Sequence, residues 1–416
     1  MSAQSALRRH LRWMSMALAV LAFCVVFGVG LLLASLWLEH SFSVTLPKPT
    51  GPFAVGRSVY DWVDDKTVDT LAPLPGTKRE LLVWIWYPAA AGQSAEMDDY
   101  LPAPLRTAIA RQTGLLLSRF LTRDLSKVRA HSVRNAEVSP EQQSYPVVVM
   151  RAGASLEVAS YSTLTEDLAS HGYVVVGVDA PYRTGIVAFP DGRVIKRAPE
   201  NNPEVCLERT GLERDRCANR FLVAWDSDIA YVLDRLTQLN ASDPSGKFKG
   251  KLNMMRVGVF GHSFGGAQAA QFCSQDSRCK AGIDLDGAPH GSVIQSGVGR
   301  PFMFLLSDHS RESDAQTQQI KADIQSIYGH TPANERLYVM IRGANHFTFN
   351  DDGAMLKSHV VRGVLRAAGK LGIDGDRQLA ITAYCLRTFF DAYVKESAVS
   401  PPEISSPLYP EIQVLK

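Results

Sequence analysis

Neither sign of charge dominates this chain of 416 residues: 44 lysines and arginines stand against 42 aspartates and glutamates, a formal net charge of +2. So even a balance offers no broad field for nucleic acid or for a strongly acidic partner. Cysteine is scarce, six in all. No C-x-x-C or histidine-rich cluster has the spacing of metal ligands, so no metal site and no cofactor is expected. No internal repeat runs through the sequence, which leaves a globular rather than a repeat architecture. Charge is missing altogether from Trp13 to Leu38. At about 1.5 Å per residue, that run exceeds the roughly 30 Å hydrocarbon core of a bilayer.

Residues 13–38 are therefore expected to form a transmembrane signal anchor. A cleavable signal peptide has a shorter apolar region, about 7 to 15 residues, closed by a small-x-small cleavage site. Here the Ala-x-Ala patterns lie inside the run, and Leu36-Trp37-Leu38 closes it. Arg8, Arg9 and Arg12 precede the run and Glu39 follows it. The positive-inside rule then leaves residues 1–12 in the cytoplasm and turns the rest of the chain toward the periplasm or cell exterior. The cysteines agree with export. Cys206 and Cys217 bracket a charged loop and Cys273 and Cys279 lie close together, so each pair has the spacing of a local disulfide; Cys24 falls in the span and Cys385 on a helix.

Past a polar, proline-containing linker over residues 39–52, a single folded domain is expected to occupy residues 53–416. Two strand-like segments, Phe53 to Val63 and Glu80 to Tyr87, come first. Nearly continuous apolar runs follow at Pro146–Met150, Tyr173–Val178, Arg256–Phe260, Ala281–Leu285, Pro301–Leu306 and Leu337–Ile341, the signature of strands buried on both faces. Helical patterns lie between them, at Leu164–His171, Phe221–Leu239, after Ser263, at Asp314–Ile327 and at Leu379–Lys395. The alternation predicts a mostly parallel, doubly wound α/β sheet with ligands at the carboxyl ends of the strands. Residues 99–128 depart from it. Leu105, Ile109, Leu115, Leu116, Leu117, Phe120 and Leu121 interleave with Arg106, Arg111, Arg119 and Arg123, which predicts an amphipathic helix that is a lid, a lipid-surface helix or an ordinary cover for the sheet.

The segment Val257-Gly-Val-Phe-Gly261-His262-Ser263-Phe264-Gly265-Gly266 carries the chemistry. A serine between glycines, after a strand and before an alanine-rich helix, reads as a nucleophile elbow, whose turn is so tight that only glycine fits its flanks. A serine hydroxyl is a weak nucleophile and needs a base oriented by a carboxylate. His346, in the loop after Leu337–Ile341, has the best placement among the ten histidines. For the acid, Asp286 and Asp308 end successive strands, and geometry alone leaves both open. An oxyanion hole needs two donors. One is the N–H of Phe264, after the nucleophile, and the other belongs to the loop Arg151-Ala-Gly-Ala-Ser155.

With these motifs, the chain resembles the platelet-activating-factor acetylhydrolase family, the α/β-hydrolase branch of the plasma enzyme and its bacterial relatives. The resemblance covers most of the chain after the anchor and lies in Gly51–Gly56, Arg79–Pro88, Asp167–Tyr173, Trp225–Ile229, Gly258–Gly266 and Gly282–Asp286. It implies an α/β-hydrolase fold, and it favours Asp286, the acid after the strand that follows the nucleophile helix. It also places Ala154 as the second oxyanion donor. The family's usual His-Gly is replaced here by Ala152-Gly153. The implied activity is calcium-independent hydrolysis of short or oxidised acyl chains from phospholipid-like esters. Alternatives are a general carboxylesterase or polyester-type hydrolase with the same triad, and a membrane-tethered binding protein whose hydrolase fold has lost activity.

Overall fold

The computed structural model describes residues 3–415 other than 91, 93–96, 155, 207, 210, 311, 358, 370 and 397–401. Ser155, the last residue of the expected oxyanion loop, falls outside them, as do residues 1 and 2. The described residues form fourteen strands: β1 (Val44–Thr45), β2 (Ala54–Val68), β3 (Lys78–Ala89), β4 (Met97–Asp99), β5 (Val128–Arg134), β6 (Tyr145–Arg151), β7 (Val174–Asp179), β8 (Ile186–Ala188), β9 (Val194–Lys196), β10 (Leu252–His262), β11 (Cys279–Leu285), β12 (Phe302–Leu306), β13 (Arg336–Ile341) and β14 (Ile412–Leu415). Twelve of them make one sheet in the order β1-β5-β2-β3-β7-β6-β10-β11-β12-β13-β14, with β4 on β5; β8 and β9 pair apart. From β7 to β13 every pairing is parallel. This is the mostly parallel, doubly wound sheet that the apolar runs predict.

Alternation along the strands builds two cores. Val147 and Val149 point to one side with Val257, Val259 and Phe272, while Val148 and Met150 point to the other with Phe260, Leu379 and Phe389. Helices Gly211–Ser242 and Phe264–Gln275 lie on the first side, and Ser162–Ser170 and Gly375–Tyr393 on the second. Gly211–Ser242 starts ten residues before the expected Phe221, because its first turns are polar and hide the apolar period.

Residues 99–128 hold two short helices, Ala103–Thr113 and Leu115–Leu121, where one was expected. Gly114 breaks them apart at a φ of 90°, a conformation that a side-chain-bearing residue resists. The N-terminal helix, Ala3–His40, contains a stretch from His10 to His40 that is long and apolar enough to cross a membrane. The expected linker is not bare chain: Val44–Thr45 pairs with β5, and both the N–H and the hydroxyl of Thr50 bond Asp167. Cys206 is bonded to Cys217 and Cys273 to Cys279, while Cys24 and Cys385 are free thiols.

Candidate active site

The chain turns from β10 into helix Phe264–Gln275 at Ser263, whose φ is 56°. Backbone contact enforces the neighbouring glycines. A Cβ on Gly261 would overlap the carbonyl of Gly265, and one on Gly265 would overlap the carbonyl oxygens of Arg151 and Ala152. The serine N–H donates to the Leu285 carbonyl at 2.8 Å, so the turn is tied to β11, the strand that leads into Asp286. Phe264 opens the helix, where first-turn N–H groups lack intrahelical acceptors. Its ring packs edge-on against Trp225 at 4.9 Å.

Residues 151–154 lie beside this turn. Arg151 is buried, donates to the Val178 carbonyl at 2.9 Å and to Gln268 at 3.0 Å, and lies over the Trp225 ring. The Gly153 N–H donates to the Tyr161 hydroxyl at 3.2 Å, and that hydroxyl also meets Nδ1 of His262 at 2.7 Å. The Ala154 carbonyl accepts from Arg197 at 2.8 Å. Phe264 and Ala154, the two expected oxyanion donors, share one small apolar cluster with Leu71, Phe221 and Trp225.

Of the two candidate acids, Asp286 meets the histidine. Its backbone takes a φ of 54° directly after β11, which breaks the strand alternation, and Oδ2 accepts from Nδ1 of His346 at 2.7 Å. Oδ1 accepts from Nε2 of His309 at 2.8 Å and from the Ser307 N–H at 2.9 Å, and the Ser307 hydroxyl donates to Oδ2 at 2.6 Å. Burial pushes the Asp286 carboxyl upward, but the hydrogen bonds and charges of His309 and His346 overrule it and hold the group well below the usual carboxylate range. Asp308 turns elsewhere, to the Gly343 N–H at 2.7 Å, and so holds the loop that leads to His346.

His346 begins a 3-10 turn pinned by Gln378, which bonds Asn345 N–H and carbonyl and the Thr348 hydroxyl. The His346 ring is partly exposed and lies 4.7 Å from that of His262. His262 is itself buried, which with the charge of His346 depresses it to about 3 and keeps it neutral. His290 is buried 6.2 Å from the Phe264 ring and depressed to about 4, by burial first and then by Arg214. Among the described residues no group of three histidine, cysteine or acidic side chains is placed to hold a metal ion. Ser307, His309, Tyr161, Arg197 and Gln378 were not foreseen as part of the site, and only His309, a histidine three residues past the end of β12, carried any local signal.

Residues 38–395 match the family model described as platelet-activating factor acetylhydrolase, isoform II. A probable 1-alkyl-2-acetylglycerophosphocholine esterase from Arthroderma benhamiae is 25% identical over 353 residues, covering 80% of this chain and 82% of its own. The platelet-activating factor acetylhydrolase of Cavia porcellus is 24% identical, covering 74% of this chain and 69% of its own. Among solved structures, a ferulic acid esterase from Streptomyces cinnamoneus superposes with a TM-score of 0.70 at 25% identity, over 90% of this chain and all of that one.

Proposed function

Because the chain belongs to the platelet-activating factor acetylhydrolase, isoform II, family, we propose that it is a serine ester hydrolase that removes short or oxidised acyl chains from phospholipid-like esters through Ser263, His346 and Asp286. Oγ of Ser263 attacks the acyl carbonyl while Nε2 of His346 takes the hydroxyl proton. Asp286 accepts from Nδ1, which fixes the tautomer and steadies the imidazolium that forms. The N–H groups of Phe264 and Ala154 receive the charge on the tetrahedral oxygen. His346 returns its proton to the departing alcohol oxygen. A water that gives a proton to His346 then attacks the acyl-serine, and the intermediate collapses to the free acid as His346 returns that proton to the departing Oγ of Ser263. The hydrogen bond of 2.7 Å between His346 and Asp286, together with the positive φ of Ser263 at the elbow, is the observation that carries this reading.

The same reading extends to the membrane. We take helix Ala3–His40 as a single-pass anchor with the catalytic domain on the periplasmic or exterior side. Its last turns lie against the helix Leu115–Leu121: Trp37 packs on Phe120 at 5.4 Å, and Lys357 donates to the carbonyls of Leu36 and Arg119. Leu115, Leu116, Leu117 and Leu121 remain exposed there, where a lipid surface would cover them. A cavity of about 530 Å³ lined by Leu36, Ile109, Phe120, Leu121, Leu156 and Met355 lies beneath, with Leu156 bonded to Gly153 in the oxyanion loop. Its apolar walls suit an acyl chain.

The test is hydrolysis by the full chain in detergent, with Ser263→Ala as control, on phospholipids of increasing sn-2 chain length. Turnover is expected to be greatest on acetyl and other short chains and to vanish in the variant. Serine-dependent turnover of simple esters alone moves the reading to a general carboxylesterase, which the likeness to the ferulic acid esterase favours. No serine-dependent turnover leaves a binding protein of hydrolase fold.

A further inference from the structure

Asp286 carries two histidines where a triad needs one. His346 meets Oδ2 and His309 meets Oδ1, at 2.7 and 2.8 Å, and the far side of the His309 ring gives Nδ1–H to Oε2 of Glu312 at 2.7 Å. A carboxylate at each ring nitrogen is the arrangement that suits an imidazolium, with hydrogen on both. Its hydrogen bond to Asp286, against the opposing effect of burial and with help from Glu312, raises its proton affinity to about 9. Two other charged groups nearby bond the backbone. Lys321 donates to the carbonyls of His309 and Glu312, and Asp308 accepts from the Gly343 and Ser310 N–H groups. Across the carboxylate, His346 faces His262, which is neutral.

We propose that His309 is a positioning residue for the triad: as a cation on the second oxygen of Asp286, balanced by Glu312, it fixes the carboxylate and offsets part of the negative charge that faces His346. The chemistry follows from counting charges. Asp286, His309 and Glu312 together present one net negative charge to His346. Without His309 the cluster presents two, and the pH at which turnover sets in rises. Without the charge of Glu312 it presents none, and that pH falls. His309 reaches the substrate only through Asp286 and His346, so its imprint is on the pH dependence.

The inference rests on the assignment of Ser263, His346 and Asp286 as the triad. Its test is the pH profile of kcat/KM for the full chain in detergent on an acetyl ester. In His309→Gln, whose amide can still donate to Asp286, the acid limb is expected to move up by about one pH unit. In Glu312→Gln, at an exposed side chain that the core does not need, it is expected to move down by less. Opposite displacements with KM unchanged support the proposal, because a purely structural role would lower kcat without moving the limb in two directions. An unmoved limb in both variants, displacement in the same direction, or any other pattern overturns it. His346→Ala is measured alongside: full activity there means the triad assignment itself has failed and takes this inference with it.

Discussion

The loops that leave β11 and β12 are built from the same materials and used in opposite ways. Each ends an apolar parallel strand and offers an aspartate followed within four residues by a histidine: Asp286 and His290 in one, Asp308 and His309 in the other. After β11 the aspartate enters the site, lifted by a φ of 54°, while His290 is buried near Phe264. After β12 the histidine enters the site, back to Asp286, while Asp308 turns away to brace Gly343. Residue type and strand-end position therefore do not assign a role. The direction of the backbone after the last paired residue does, together with whichever neighbouring loop has an N–H to offer.

Substitution of the two aspartates attacks this comparison most strongly. Asp286→Asn removes the acceptor that fixes the His346 tautomer, and kcat is expected to fall by about 10⁴-fold. Asp308→Asn keeps an oxygen for the Gly343 N–H, and kcat should stay within about tenfold of the native value, a change of about 1.4 kcal/mol in barrier. Equal losses in the two variants, measured by steady-state kinetics on one ester, would erase the distinction between the loops.

The two histidines give a smaller and more particular contrast, in stability. The folded value of His309 is raised from 6.5 to about 9, so its contribution is fully present below pH 6.5 and is lost as pH rises toward 9. That of His290 is lowered from 6.5 to about 4, so its contribution is present above pH 6.5 and is lost as pH falls toward 4. His262, lowered to about 3, adds to the acid-side loss. Melting temperatures followed from pH 4 to 10 (about the span of these shifts) should show His309→Gln flattening the alkaline slope and His290→Gln easing the acid one. The reverse assignment, or slopes unchanged in both, would show that the loops do not differ in this way.

How much of this was legible in the sequence follows from how far apart the deciding partners lie. The elbow was legible because what constrains it, Gly261 and Gly265 on either side of Ser263, is local. The parallel sheet was legible because strands such as β6 and β7 are buried on both faces and read as unbroken apolar runs. Strand β5 was not, since its sequence Val-Arg-Ala-His-Ser-Val-Arg alternates at a half-buried position and carries charge on its open face. The break at Gly114 was overrun by an apolar period that continues on both sides of it. Geometry read from the sequence could not separate Asp286 from Asp308, because the separation depends on a positive φ and on a glycine N–H from the loop after β13. His309 was not legible as part of the site, because the aspartate it bonds belongs to the neighbouring strand end.

The most direct measurement is covalent. An organophosphorus serine probe applied to the full chain in detergent, followed by peptide mass mapping, should place a single adduct on Ser263, absent from Ser263→Ala and slower to form in Asp286→Asn. An adduct on another serine, or none while ester hydrolysis proceeds, would contradict the account at its centre.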